Sequence, residues 1–219
     1  MPRTELDHRL GELRVHVAQL GVTVDDAIDH SMAALAAQDT DIAQHVIAGD
    51  DAIDEGTATI NALGACLITR HQPVLGDLRA VLAALAIADE LERIGDHAEG
   101  IARLVTRLPQ APDATALRAL QVLAALARVQ LQDALDAYRA GNVQRASVVW
   151  RADADVDALC HRLVGTLMTA LGDDQATRTS STYLLWIAHN IERIADRAGN
   201  ICERVVYIAT GERRIAIAS

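Results

Sequence analysis

Phenylalanine and lysine are both missing from the 219 residues, and aromatics amount to only 2%. An apolar share of 51% is therefore carried mostly by Ala, Leu, Val and Ile. Such a composition favours helices packed closely through small residues over a sheet-rich core. Because lysine is absent, all 20 basic residues are Arg, a coding bias to which we attach no mechanism. Proline is scarce, at Pro2, Pro73, Pro109 and Pro112 only, so long uninterrupted helices are permitted. The three cysteines, Cys66, Cys160 and Cys202, form no CxxC pair and read as buried free thiols. No apolar run reaches the roughly 20 residues of a membrane span, and the charged opening MPRTELDHRL shows no signal-peptide pattern. A soluble, cytoplasmic chain without direct membrane insertion is expected. Positive charge is also short: the net charge is −10 and the pI about 5.2. That balance argues against nonspecific nucleic-acid binding and leaves cation binding open.

Catalytic patterns are equally sparse. GDDAIDEG and GDHAEG lack the Lys-Ser/Thr and the preceding strand of a phosphate loop. Ser180 and Ser181 lie near a predicted helix start with no base in reach and read as caps. No enzyme is expected.

What is present is helical periodicity, twice over. Breakers divide the chain into six predicted helices: about 4–37, 40–69, 75–108, 114–140, one ending near Leu171 before Gly172-Asp173-Asp174, and 177–209. Asp39 or Thr40 is placed to cap the second. SMAALAAQDTDIAQHVIAGD lies over ALDAYRAGNVQRASVVWRAD at an offset of 103, and the two Glu-Arg-Ile-x-Asp segments at an offset of 100. The expected fold is all-α, two tandem three-helix bundles related by pseudo-twofold symmetry, divided as residues 1–109 and 110–219.

The acidic residues follow the same repeat. At about 100° per residue, Ile87, Leu91, Ile94, Ala98 and Ile101 form the core stripe of the third helix. Glu92, Asp96, Glu99 and Arg103 fall on another line, pointing outward. The sixth helix repeats this with Glu192, Asp196 and Asn200. On the second helix Asp50 and Asp54 flank the stripe of Val46, Ile53 and Ile60; on the fifth, Asp153 and Asp157 flank Val149, Val156 and Leu163. Like charges one turn apart destabilise a helix by roughly 0.2–0.5 kcal/mol per pair. Four that converge must bind cations, gain protons or recruit arginine. Oxygen-rich, histidine-poor donors suit Mg, Mn, Ca or oxidised iron better than tetrahedral Zn. The plainer alternative is a solvated, salt-bridged face, with Arg93, Arg103, Arg193 and Arg197 neutralising their neighbours.

ADELERIGDHAEGIAR and HNIERIADRAGNICE, with the link HQPVLGDLR and the paired-acid segments VIAGDDAID and VWRADADVD, resemble the PhoU family of phosphate-signalling regulators. The resemblance runs from about Leu6 to Gly211. It implies two three-helix bundles, often dimeric, with multinuclear metal clusters on the bundle surface. The first cluster would use Asp50, Asp54, Glu92 and Asp96, and the second Asp153, Asp157, Glu192 and Asp196. It also implies divalent or trivalent ions (Mg, Mn, Fe or Zn) and negative regulation of the phosphate-starvation response. The implied partners are the phosphate ABC transporter ATPase, a sensor histidine kinase and a second copy of the chain. Many members carry Asn where Gly100 stands, so either Glu99 substitutes as a ligand or the first cluster is the weaker; Asn200 keeps the family residue.

Two other readings compete. A ferritin-like di-metal oxidase needs a Glu-x-x-His from each of two helices, aimed into the core. The only Glu-x-x-His here is Glu5 to His8, and His71, His97 and His189 read as surface residues. A metal-free helical adaptor, its acidic faces docking a basic partner, is the other. Carboxylates facing the core favour the oxidase, and carboxylates facing outward favour a scaffold.

Overall fold

The computed structural model describes residues 3–169 and 175–212. Six α-helices follow in order: α1 Arg3–Ala37, α2 Thr40–His71, α3 Gly76–Val105, α4 Ala114–Ala140, α5 Val143–Thr169 and α6 Gln175–Thr210. Local chemistry sets their ends. The Asp39 carboxylate accepts from the backbone N–H of Asp41 (2.8 Å) and Ile42 (3.1 Å), so Asp39, not Thr40, caps α2. Asp113 caps α4 in the same way through Thr115 and Ala116, at 2.8 and 3.0 Å. Each such cap contributes about 1 kcal/mol. Gln72 closes α2 in the left-handed region (φ 47°), directly before Pro73, and Gly141 closes α4 at φ 60°. α3 stops at Val105, three residues short of the expected Leu108. There Arg107 and Leu108 donate to the carbonyls of Leu104 and Val105, tightening the chain ahead of Pro109. The expected end of α5 at Leu171 and its Gly172-Asp173-Asp174 stop lie outside the described residues.

The first three helices pack on one another, as do the last three; α3 then lies against α6 and α1 against α4. The predicted stripes are the ones buried. Ile87, Leu91, Ile94, Ala98 and Ile101 are wholly inaccessible, and Val46, Ile53, Ile60, Val149, Val156 and Leu163 are buried as well. The buried residues of both halves form one continuous apolar core.

Two expectations need correction. Cys160 and Cys202 are buried, but Cys66 is exposed: it precedes the core residue Leu67 by one position, which turns it about 100° away from the core. Ser180 and Ser181 do not cap α6. That helix starts at Gln175, so both serines fall in its second turn with their side chains buried.

The repeat is visible where the halves meet. Arg197 and Asn200 on α6 donate to the Glu90 carboxylate on α3 (3.3 and 3.1 Å). Asn190, the counterpart of Glu90, accepts from Nδ1 of His97, the counterpart of Arg197, at 2.9 Å. The two contacts are thus related by a pseudo-twofold axis, and α3 and α6 run antiparallel across it. On the opposite side Arg128 grips Asp25, its own counterpart at the offset of 103, with Nε to Oδ1 at 2.9 Å and Nη2 to Oδ2 at 3.0 Å. Burial raises the Asp25 carboxyl, but hydrogen bonds from Arg128 and Gln132 outweigh it and hold it below its ordinary range.

Candidate metal centre

The Asp-x-x-x-Asp of each middle helix and the Glu-x-x-x-Asp of each last helix flank the stripes that press those helices together. Packing the stripes therefore draws the acids toward one another on the outside. None of the ten candidate side chains is fully buried: Asp54 and Asp96 are exposed, and Asp50, Glu92, Glu99, Asp153, Asp157, Glu192, Asp196 and Asn200 are half-buried. The core beneath them is apolar, so the acids line the surface of the bundle and not its interior. Glu5 and His8 are exposed near the start of α1, where His8 contacts Glu12 at 3.3 Å.

In the first half, convergence shows in the electrostatics. Burial pushes the Asp50 carboxyl up to about 6, helped by the nearby charges of Glu99, Asp96, Asp54 and Asp51. Glu92 is raised too, first by burial, then by Asp54 across the helix pair and by Asp96 one turn along its own helix. Glu99 is ion-paired with Arg103 one turn on.

In the second half the oxygens come closer still. One carboxylate oxygen each from Asp153, Asp157 and Asp196 lie within 4.8 Å of one another. That spacing suits hard cations, which take oxygen ligands at roughly 2.0–2.6 Å. Burial pushes Asp153 up to about 6, with Asp157, Asp196 and Glu192 adding to it; burial, Asp196 and Glu192 likewise raise Asp157. Asp153 Oδ1 is buried with no hydrogen-bond partner, an unsatisfied acceptor next to two other carboxylates. A purely solvated salt-bridge face has no need of such an atom; an all-oxygen cation site uses it. Arg193 donates to Asp196 (3.0 Å), and His189 Nδ1 contacts Glu192 (3.1 Å). The carboxylates of Asp153, Asp157 and Asp196 fit a hard metal ion in character and in spacing.

A polar seam lies beside these acids, made by residues too far apart in sequence for helical spacing to reveal it. Asn200 turns its amide to Glu90, across the seam. His97, expected at the surface, is half-buried and held by Asn190, whose own amide donates to the Trp186 carbonyl at 2.9 Å. The carbonyl end of Asn190 therefore faces His97, so Nδ1 carries the proton. Burial holds the His97 imidazolium below its ordinary pKa and keeps the ring neutral. His71 is also half-buried, while His189 is exposed as expected. One signal was available: Glu90 and Asn190 are polar residues at equivalent positions on the flank of an apolar stripe.

The helix pairs that carry the acids are fitted by complementary volumes. A Cβ on Gly95 would lie 2.8 Å from Ile53 Cδ1, so α2 and α3 meet as isoleucine over glycine. At the equivalent place α5 and α6 present Val156 and Ala195, one side chain smaller and the other larger, both buried.

Comparison with known proteins agrees with this architecture. The PhoU domain family matches residues 17–105 and 120–205. The Caulobacter vibrioides phosphate-specific transport system accessory protein PhoU homolog is 36% identical over 204 residues, covering 93% of this chain and 89% of that one. Its Clostridium acetobutylicum namesake is 31% identical over 214 residues, covering 97% and 98%. The crystal structure of the phosphate transport system regulatory protein PhoU from Streptococcus pneumoniae superimposes with a TM-score of 0.89 at 32% identity, covering 96% of this chain and all of that one. PhoU from Pseudomonas aeruginosa gives 0.86 at 28% identity, covering 94% and 99%. Matched in both repeats and along nearly its whole length, the chain belongs to the PhoU family.

Proposed function

We propose that the chain is a regulatory adaptor of phosphate transport that carries hard metal ions on its two acidic faces. Its relatives are named as accessory proteins of a phosphate-specific transport system, which supports the regulatory role. The observation that carries the metal part is the convergence of carboxylates from neighbouring helices on the outside, those of Asp153, Asp157 and Asp196 within 4.8 Å, where one Asp153 oxygen is also buried without a hydrogen-bond partner. In this reading Asp50, Asp54, Glu92 and Asp96 hold ions in the first half, with Glu99 beside them. Asp153, Asp157, Glu192 and Asp196 hold them in the second. The oxygen-only donor set favours Mg, Mn or oxidised Fe over Zn. The ions neutralise a face that otherwise repels itself and fix a surface for protein contacts. Through that surface the chain, as a homodimer, restrains the phosphate-starvation response by linking the transporter ATPase to a sensor histidine kinase.

The second reading, a metal-free adaptor, draws on the ion pairs of Arg103 with Glu99 and Arg193 with Asp196. Metal analysis of protein purified without chelators separates the two. Bound metal that is lost in Asp96→Ala and Asp196→Ala supports clusters; a metal-free wild type supports the alternative. Affinity capture from phosphate-replete and phosphate-starved cells tests the partners. Recovery of neither the transporter ATPase nor the kinase in either state would count against the adaptor role.

A further inference from the structure

The two acidic faces match at Glu92 and Glu192 and at Asp96 and Asp196, then part company one turn further on. The first half continues with Glu99 and Arg103; the second has Gly199 and Glu203 in those places. Apart from burial, Glu99 is the strongest influence lifting the Asp50 carboxyl, so its charge leans into the first site. Arg103 pairs with Glu99 and also feels Asp50. The first half thus brings a guanidinium to its own carboxylates. At the other edge each half carries one arginine, Arg93 acting on Glu92 and Arg193 donating to Asp196 at 3.0 Å, so Arg103 is an additional guanidinium that only the first half has. In the second half Asp153, Asp157 and Asp196 hold oxygens within 4.8 Å, and no other His, Cys, Asp or Glu trio among the described residues comes that close.

We propose that Arg103 is a built-in counter-cation of the first half, so that the second half takes up a hard cation first and the first half fills only as Arg103 yields Glu99. This rests on the metal reading given above. An incoming cation at the first site meets a positive charge already in place, and the repulsion is lowered only by moving the arginine. The Arg103–Glu99 pair is partly exposed and an exposed pair is weak, so it lowers affinity without closing the site.

Terbium, an oxygen-seeking trivalent probe, reads the order of filling. Trp150 stands beside the second site: a Cβ at Gly199 would lie 3.9 Å from both Trp150 Cδ1 and Asp153 Oδ2. The counterpart of Trp150 in the first half is Ile47, so tryptophan-excited terbium luminescence reports the second half. The exposed Trp186 is replaced by Phe throughout to remove its signal. Equilibrium dialysis of the same full-length samples counts all bound terbium, and circular dichroism checks that each variant is folded. The luminescence is expected to saturate with the first ions bound, ahead of total uptake. Asp157→Asn should abolish that early phase and Asp54→Asn should leave it. Arg103→Gln should leave it too, while strengthening the later phase by roughly two- to fivefold, the factor that an exposed ion pair corresponds to. Luminescence that follows the last ions bound, or a later phase that Arg103→Gln does not move, overturns the proposal. Folded protein that binds no terbium in either half removes the cation reading itself, a different failure from a reversed or equal order.

Discussion

The two halves solve one packing problem in two ways. In the first, Ile53 fills the space that Gly95 leaves; in the second, Val156 withdraws to admit Ala195. Across the seam, Glu90 takes two donors from the second half, whereas Asn190 takes one from the first. On the acidic faces the first half gathers five carboxylates and an arginine, and the second brings three aspartates close together. The lesson is that a repeat keeps its geometry while trading volume, charge and hydrogen bonds between partners. What both halves keep is the outward convergence of acids from two helices.

The largest effects should be those common to both halves. Ile94→Ala and Ile194→Ala each empty a wholly buried site, and each should cost roughly 2–5 kcal/mol in urea unfolding. Because the core is continuous, each variant should shift a single transition. Two separated transitions would show that the halves unfold independently.

The seam comes next. Arg197→Ala leaves the buried Glu90 with Asn200 alone and should cost about 1.5–3 kcal/mol, the range for hydrogen bonds to charged groups. His97→Ala breaks the neutral counterpart contact and should cost only about 0.5–1.5 kcal/mol. Equal losses would remove the distinction drawn between the two contacts.

Packing gives a third contrast. Gly95→Ala forces a methyl to 2.8 Å from Ile53 Cδ1 and 3.1 Å from its Cγ2, a crowding that should cost roughly 1–3 kcal/mol. Adding Ile53→Val rebuilds the arrangement of the second half and should restore most of the loss. A double variant as unstable as the single one would contradict the volume exchange.

The smallest effect is a pH dependence of the metal-free chain. Asp50 and Asp153 are pushed from 3.8 up to about 6, so across that interval the folded chain binds protons the unfolded chain has released. Their contribution to stability is present below the unfolded value and is lost as pH rises through about 6. The Tm of chelated protein should therefore fall from about pH 4 to about pH 7 by this route, and manganese should flatten the decline by favouring the deprotonated acids. Asp50→Asn and Asp153→Asn should each remove part of the slope. A slope unchanged by both would assign it to other groups.

Much of this was legible in the sequence because helical periodicity converts directly into faces. The stripes around Ile53, Leu91 and Val156, and the outward lines of Glu92 with Asp96 and Glu192 with Asp196, needed only 3.6 residues per turn and the absence of breakers. The seam was not legible, since His97 and Asn190 are 93 positions apart and meet only because two halves dock. The same holds for the Arg128 clamp on Asp25. Ser180 and Ser181 were misread because α6 begins earlier than its apolar pattern does. Nor does spacing along single helices tell a tight trio from a looser group; that depends on how closely two helices approach, which glycine, alanine and their partners decide.

Anomalous diffraction from manganese-loaded crystals tests the central claim most directly. The account predicts peaks outside the bundle core, at coordination distances of roughly 2.0–2.6 Å from Asp153, Asp157 and Asp196, with a further site bounded by Asp50, Asp54, Glu92 and Asp96. Fully loaded crystals with no peak at either face, or with peaks only in the bundle interior, would contradict it.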